Sequence, residues 1–243
     1  MTFGGLMALS NLNFQVKKGT IKAVIGPNGA GKTTLFNIIT GSFPPTKGTV
    51  KFKDEPIENL KAHKIADRGI SRTFQTIELF SNMTVLENVM MGCHTCVRTS
   101  FLSSGLKLPR SHRKETEILD RAMKVLRFIG LGEKINEPAD SLALGEQKIL
   151  EIGRALASEP ELVCLDEPAA GLNETETHVA SSLIKAINAK GITVLLVEHD
   201  MKVVMNISDE ILVLNYGQKI AEGTPEGIRN NPRVIEAYLG GEA

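Results

Sequence analysis

The sequence predicts an α/β fold with a mostly parallel sheet, an antiparallel β portion and an inserted helical subdomain. Three observations carry this. Strand-like runs at 20–25, 49–53, 161–165, 192–197 and 211–214 alternate with helical patterns at 32–40, 175–190 and 200–207, the rhythm of βαβ units. Several runs, such as Val194-Leu195-Leu196-Val197, are apolar on both faces, as strands covered by helices on both sides are. The stretch 84–158 is helix-patterned with no convincing strand.

Composition sets the bounds. A length of 243 residues, 42% of them hydrophobic, suits one domain with an insert. We place the core at 1–75 and 159–243 and the helical subdomain at 76–158. The 28 basic residues balance the 28 acidic ones, so no bulk field favours nucleic acid. No apolar run approaches the ~18 residues of a membrane span. Three cysteines, an odd count, and no apolar leader point to the cytosol. Aromatic content of 5%, without Trp, fits an α/β nucleotide fold better than a β-sandwich.

The first strand, Thr20 to Ile25, runs into Gly26-Pro27-Asn28-Gly29-Ala30-Gly31-Lys32-Thr33-Thr34 and then a helix. This is a complete G-x-x-x-x-G-K-[ST] loop in the strand–loop–helix setting it needs, and it predicts a P-loop NTPase core. Glycines let backbone N–H groups turn inward around phosphate oxygens, and the helix N-terminus adds partial positive charge. Lys32 is expected to reach the outer phosphates and Thr33 to offer its hydroxyl to Mg²⁺. Thr84 and Glu87 read as a capping box opening a helix at 85–91. Further helices are expected at about 114–129, ending at Gly130, and at about 146–158, ending before Pro160. The runs 211–214 and 218–221 form a hairpin around Tyr216-Gly217. Thr224-Pro225 starts a terminal helix.

Leu162 to Leu165 is an apolar strand ending in Asp166-Glu167. Ligands of open α/β sheets bind at that end of a strand. Asp166 would serve Mg²⁺ opposite Thr33, and Glu167 would act on the attacking water as general base; two such acids also serve as turn formers or helix caps. Val194 to Val197 ends the same way, in Glu198-His199-Asp200. His199 is placed beside the terminal phosphate, or simply closes its strand. Gln75, in Arg72-Thr73-Phe74-Gln75, suits water and Mg²⁺ but is equally an ordinary surface residue.

These segments, in this order, resemble the ATP-binding subunits of ABC transporters along the whole chain. Gly26 to Thr34 matches the family's first nucleotide motif and Leu162 to Glu167 its second; Gln75 and His199 match its Q-loop and H-loop. Leu142-Ala143-Leu144-Gly145-Glu146 falls where the signature sequence falls, and Ala170-Gly171-Leu172-Asn173 where the D-loop falls. The resemblance implies ATP and Mg²⁺ as ligands, the metal held by Thr33, Gln75 and Asp166, and adenine stacked on Phe3. It also implies a second ATPase subunit, a paralogue or a copy of this chain, whose ATP meets the signature segment. Further implied partners are membrane permease subunits and, indirectly, a periplasmic or extracellular binding protein. The expected location is the cytoplasmic face of the membrane.

Departures stand beside these matches. The signature usually reads Leu-Ser-Gly-Gly-Gln, and here only Leu142 and Gly145 are kept. Asn173 replaces the usual D-loop Asp. Family members commonly carry another strand ahead of the adenine-stacking aromatic. Within the family, Phe3-Gly4-Gly5-Leu6, Arg72 to Gln75, Leu144 to Gln147, Ala169 to Asn173 and the insert 92–114 are similar to the ATPases of branched-chain amino acid importers. An importer ATPase for urea or short amides, a soluble non-transport ABC ATPase and a nucleotide switch are the alternatives. The insert holds Arg98, Lys107, Arg110, Arg113 and Lys114 and no acid; it reads as a membrane-face loop or a solvated one. Cys93-His94-Thr95-Cys96 lacks a second ligand pair for a zinc site.

Overall fold

The computed structural model describes residues 1–3, 6–74, 76–93 and 109–239, with 2, 3, 6, 109–114 and 239 by backbone alone. The chain opens with β1 (Thr2–Phe3) paired antiparallel to β2 (Leu6–Met7), then enters β3 (Ile21–Ile25) and α1 (Lys32–Ile39). Next come β4 (Lys51–Phe52), β5 (Glu55–Pro56), α2 (Ala62–Ala66) and β6 (Ile70–Arg72). Then follow α3 (Val85–Cys93), α4 (Pro109–Phe128) and α5 (Leu144–Leu156). Strands β7 (Leu162–Asp166) and β8 (Thr193–Val197) are separated by α6 (Glu174–Ala189). The chain closes with α7 (Met201–Ile207), β9 (Glu210–Asn215), β10 (Gln218–Gly223), α8 (Pro225–Arg229) and α9 (Pro232–Leu239).

Six strands make the central sheet in the order β10-β9-β3-β8-β7-β6, parallel except for the β9–β10 hairpin at one edge. Alternate residues of the parallel strands feed two separate cores. Val24, Cys164, Leu195 and Leu212 pack toward α1, while Ala23, Val163, Leu196 and Ile211 pack toward α5, α6 and α7. That is why these runs read as apolar on both faces. The exception is Lys22, 1% exposed on the central strand. Its ammonium donates to Gln15 O at 2.6 Å and to Glu210 at 3.2 Å, and pairs with Glu222.

Local signals set the helix ends. Thr84 and Glu87 form the expected reciprocal box, Glu87 N donating to Thr84 Oγ1 at 3.2 Å and Thr84 N to Glu87 Oε2 at 2.8 Å. After α4, Gly130 takes φ +82°, and Leu131 N bonds Leu126 O while Gly130 N bonds Arg127 O, a Schellman motif. Thr224 caps α8, with Pro225 in its first turn.

Three expectations need correcting, and two elements, β6 and α2, were not expected. The run 49–53 does not join the main sheet. Lys53 and Asp54, both at positive φ, turn Lys51–Phe52 back onto Glu55–Pro56 in a local hairpin. Strand β6 and helix α2 carry too few apolar residues to show a period. Helix α5 begins at Leu144, two residues earlier than expected, and α4 at Pro109, whose fixed φ suits a first turn. Helices α3, α4 and α5 pack on one another. Gly92 of α3 lies so close to α5 that a Cβ would stand 2.1 Å from Arg154 O.

Candidate functional site

Spatial order along the sheet explains the site. Strands β3, β8, β7 and β6 are consecutive and parallel, so their C-terminal ends form one edge. Sequence segments far apart therefore meet there: the phosphate loop after β3, His199 after β8, Asp166 and Glu167 at the end of β7, and the segment toward Gln75 after β6.

The phosphate loop turns on Gly26, Gly29 and Gly31, all at positive φ. Gly26 is also a close approach, since a Cβ there would lie 2.1 Å from Leu214 O. The Lys32 ammonium is folded over the loop, donating to Gly26 O at 2.7 Å and Pro27 O at 3.1 Å. Burial lowers its pKa, against the opposing pull of Glu167 and Asp166. Gly31 caps α1 without any side-chain bond, so the first-turn N–H groups are left for an anion. The turn at Tyr216 is tied to this loop through Gly217 N to Ala30 O at 3.1 Å, and Tyr216 is 84% exposed.

Asp166 is buried, and its Oδ2 accepts from Arg72 Nη2 at 2.8 Å. Arg72 also donates to Asn37 Oδ1 at 2.6 Å and Thr40 Oγ1 at 3.1 Å on α1. Its guanidinium lies between the Phe36 and Phe74 rings, at 5.6 and 5.3 Å from their centroids. Sequence reasoning assigned Arg72 no role of its own; the signal available was a lone cation three residues ahead of Gln75.

Glu167 follows at φ +51°, a left-handed conformation that costs a non-glycine residue about 1–3 kcal/mol and clusters at functional sites. Its Oε2 lies 3.8 Å from His199 Nδ1, so the expected base and the expected phosphate-side imidazole do meet. Behind them Glu198 is buried and accepts from Ala169 N at 2.7 Å and His199 N at 3.1 Å. Burial pushes its pKa up, and those backbone donors oppose this.

Leu142 is buried, Ala143 is the N-cap of α5, and Leu144 and Gly145 lie in its first turn. Glu146 is paired with Lys134 at 2.8 Å. Ala143 supplies no side-chain bond, leaving this helix start open as well. Gln75 and residues 94–108 of the insert, with His94 and Cys96, lie outside the described residues, as does the Phe3 side chain. Cys93 is buried in α3.

Mg²⁺ chemistry fits the donors present. Among the described residues there is no cluster of His, Cys, Asp and Glu able to cage a metal alone. Mg²⁺ instead takes one or two protein oxygens and completes its shell with water and phosphate. Asp166 keeps Oδ1 without a hydrogen bond among the described residues, since its bond to Arg72 uses Oδ2.

A triphosphate gripped at β3 would present its terminal phosphate to β7 and β8, the division of labour of a P-loop nucleoside triphosphatase. A family model described as ABC transporter matches residues 9–170, and the chain belongs to that family: it is an ATP-binding cassette that hydrolyses ATP. A second model, described as branched-chain amino acid ATP-binding cassette transporter, matches residues 218–243. Among curated relatives, the high-affinity branched-chain amino acid transport ATP-binding protein LivG of Escherichia coli is 50% identical over 99% of this chain and 94% of its own. The corresponding protein BraF of Pseudomonas aeruginosa is 47% identical over the same shares. The crystal structure of an ABC transporter cassette in its ADP conformation matches with TM-score 0.87, 38% identity, 99% of this chain and 95% of that one. A dimeric cassette in a post-hydrolysis state with ADP and Pi matches with TM-score 0.76, 27% identity, 93% and 94% of the two chains.

A second surface lies on the side of Phe74. A groove of about 660 Å³ is lined by His63, Phe74, Phe80, Met91 and Arg154 among others. Phe74, Phe80 and Met91 are 42%, 43% and 38% exposed. A larger cavity of about 1020 Å³, lined by Phe14, Leu35, Ile39, Val50 and Phe52 among others, includes neither Asp166 nor Glu167. Among the described residues no helix is long and apolar enough to cross a membrane.

Proposed function

We propose that this chain powers the uptake of branched-chain amino acids through a membrane permease. The observation that carries this reading is the 50% identity to LivG along the whole chain; the C-terminal match at 218–243 supports it. The edge geometry supports the following roles. Lys32 and the loop amides hold the phosphates, with Gly26 to Thr34 as the binding segment. Mg²⁺, held by Thr33, Gln75 and Asp166, would offset phosphate charge. Glu167 takes the proton of the attacking water, and His199, 3.8 Å from it, orients water and terminal phosphate. Phe3 stacks on adenine.

Two ATPase subunits, this chain with a copy or a paralogue, close on two ATP molecules. Leu142 to Glu146 of each faces the other's phosphate, the start of α5 supplying backbone donors. Residues 76–158 move as a helical unit on the core of 1–75 and 159–243. The permease seats in the groove beside Phe74, where exposed rings favour an apolar knob. The chain then sits peripherally on the cytoplasmic face of the membrane, with the basic insert 92–114 toward it and a binding protein delivering substrate on the far side. Nucleic acid has no place in this reading.

The test pairs Glu167→Gln with uptake. Glu167→Gln is expected to bind ATP normally, stop steady hydrolysis and favour the dimer. In cells lacking the chain, the wild type but not Glu167→Gln restores uptake of labelled leucine. Restored uptake of urea without leucine would transfer the assignment to amide import, and near-normal hydrolysis by Glu167→Gln would remove Glu167 as the base.

A further inference from the structure

The second turn of α5 reaches under the hydrolytic edge. Lys148 is 8% exposed, and its ammonium donates to the carbonyl oxygen of Glu167 at 2.9 Å. A buried ammonium needs acceptors and opposite charge. Here Glu198, Glu151 and Glu167 surround it and counter the lowering of its pKa by burial.

Three residues further along α5, Glu151 is buried too, and its Oε1 accepts from Phe74 N at 3.1 Å. One turn of α5 thus holds two catalytic segments by their backbones: the residue ahead of Gln75 and Glu167 itself. Glu198, whose charge acts on Lys148, accepts in turn from His199 N at 3.1 Å.

The Glu167 carbonyl matters because this residue is strained. At φ +51° its backbone sits in a costly left-handed conformation that the surroundings must hold. Among the described residues its backbone is held by Glu167 N to Val197 O at 3.0 Å, Ala170 N to Glu167 O at 3.1 Å and Lys148 Nζ to Glu167 O at 2.9 Å. The first two belong to the sheet edge and the turn. The third comes from another element, the helix whose first turn is Leu144–Gly145.

We propose that Lys148 is a positioning residue for ATP hydrolysis, fixing the aim of Glu167 and tying it to the helix that carries the signature segment. A shift of α5 then moves Glu167 with it, so hydrolysis at one ATP depends on how the same chain's helix meets the other. The proposal rests on Glu167 as the hydrolytic base.

Purified wild type, Lys148→Met, Lys148→Arg and Glu167→Gln are compared by steady-state ATPase kinetics, binding of a fluorescent ATP analogue and thermal melting. Methionine keeps the stem and removes the donor; arginine keeps a donor. Lys148→Met is expected to lower kcat about 10- to 100-fold, the cost of a misplacement near 1 Å. KM and analogue affinity stay within about twofold. Lys148→Arg recovers most of the kcat. A kcat for Lys148→Met within about twofold of wild type overturns the proposal, as does a Lys148→Arg as slow as Lys148→Met. If Lys148→Met does not fold, Lys148→Gln, a shorter neutral donor, is held to the same split of kcat from affinity. Turnover by Glu167→Gln would fail the base assignment itself; a dead Glu167→Gln beside a normal Lys148→Met fails only the positioning role.

Discussion

Replacing Arg72 with Met should destabilise the nucleotide-free protein by about 3–5 kcal/mol, because it leaves a buried carboxylate without its cation. The Arg72 and Asp166 side chains are 8% and 2% exposed and bonded at 2.8 Å, so little water screens them. Two unit charges about 4 Å apart attract by about 4 kcal/mol at an effective dielectric near 20. The bonds to Asn37 and Thr40 are lost too, whereas Met fills part of the space between Phe36 and Phe74. For a chain of this size each kcal/mol moves Tm by about 2–4 °C, so a fall of roughly 10 °C is expected. The assay is urea and thermal unfolding without nucleotide, since any bound triphosphate adds its own stabilisation. Adding Asp166→Asn closes a double-mutant cycle. If the pair is the cause, the double variant is more stable than Arg72→Met alone, with a coupling of about 2 kcal/mol or more. A loss below about 1 kcal/mol for Arg72→Met, or additive single losses, would refute the reasoning.

Gly26→Ala should cut the affinity for a fluorescent ATP analogue more than about tenfold while far-UV circular dichroism keeps the native fold. The added Cβ would meet Leu214 O at 2.1 Å, and relieving it deforms the loop; unchanged affinity would show that the loop tolerates the shift. Lys22→Met should flatten the acid limb of stability. Glu210 is held below the ordinary carboxylate value, chiefly by its bond from Lys17 and then by that from Lys22. For Glu222 burial pushes the value up, but the bonds from Lys219 and Lys22 prevail and lower it. A lowered carboxylate pKa adds stability that is present above the unfolded value and lost as pH falls through the folded one. Urea unfolding between about pH 5 and 2 should therefore show a steeper loss for the wild type than for Lys22→Met, and parallel profiles would count against the network.

Much of this architecture was legible because it is written in runs that need no partner to be recognised. The phosphate loop, the apolar strands ending in Asp166 and His199, the Thr84 box and the Gly130 stop are each local. What escaped was set by tertiary contact. Strand β6 holds one buried apolar residue, Ile70, and exists because its backbone completes the ladder with β7 from Ile70↔Leu162 to Arg72↔Cys164. Lys22 interrupts a strand that reads as core, and only the distant Glu210 and Glu222 make its burial tolerable. Arg72, Lys148 and Glu151 look like ordinary surface charges in sequence. Their partners lie 94, 19 and 77 positions away, which no periodicity reports.

Two of the departures from the family's motifs also acquire physical reasons. Asn173 is the N-cap of α6, its Oδ1 accepting from Glu176 N at 3.0 Å while Glu176 Oε2 accepts from Asn173 N at 3.0 Å. Asn caps as well as Asp does, and here it avoids a third carboxylate in a turn that already holds Glu174 and Glu176. The same Glu176 side chain packs against Gly145, where a Cβ would stand 3.0 Å from its carboxyl carbon, so the cap also sets where the start of α5 rests. At Ala143 a serine would be placed to bond its own helix, as N-cap hydroxyls do. Alanine leaves those amides without a side-chain cap. A phosphate arriving from outside the chain then meets unsatisfied donors rather than having to displace a side chain, so losing the signature hydroxyl does not by itself remove the anion-binding chemistry of this helix start.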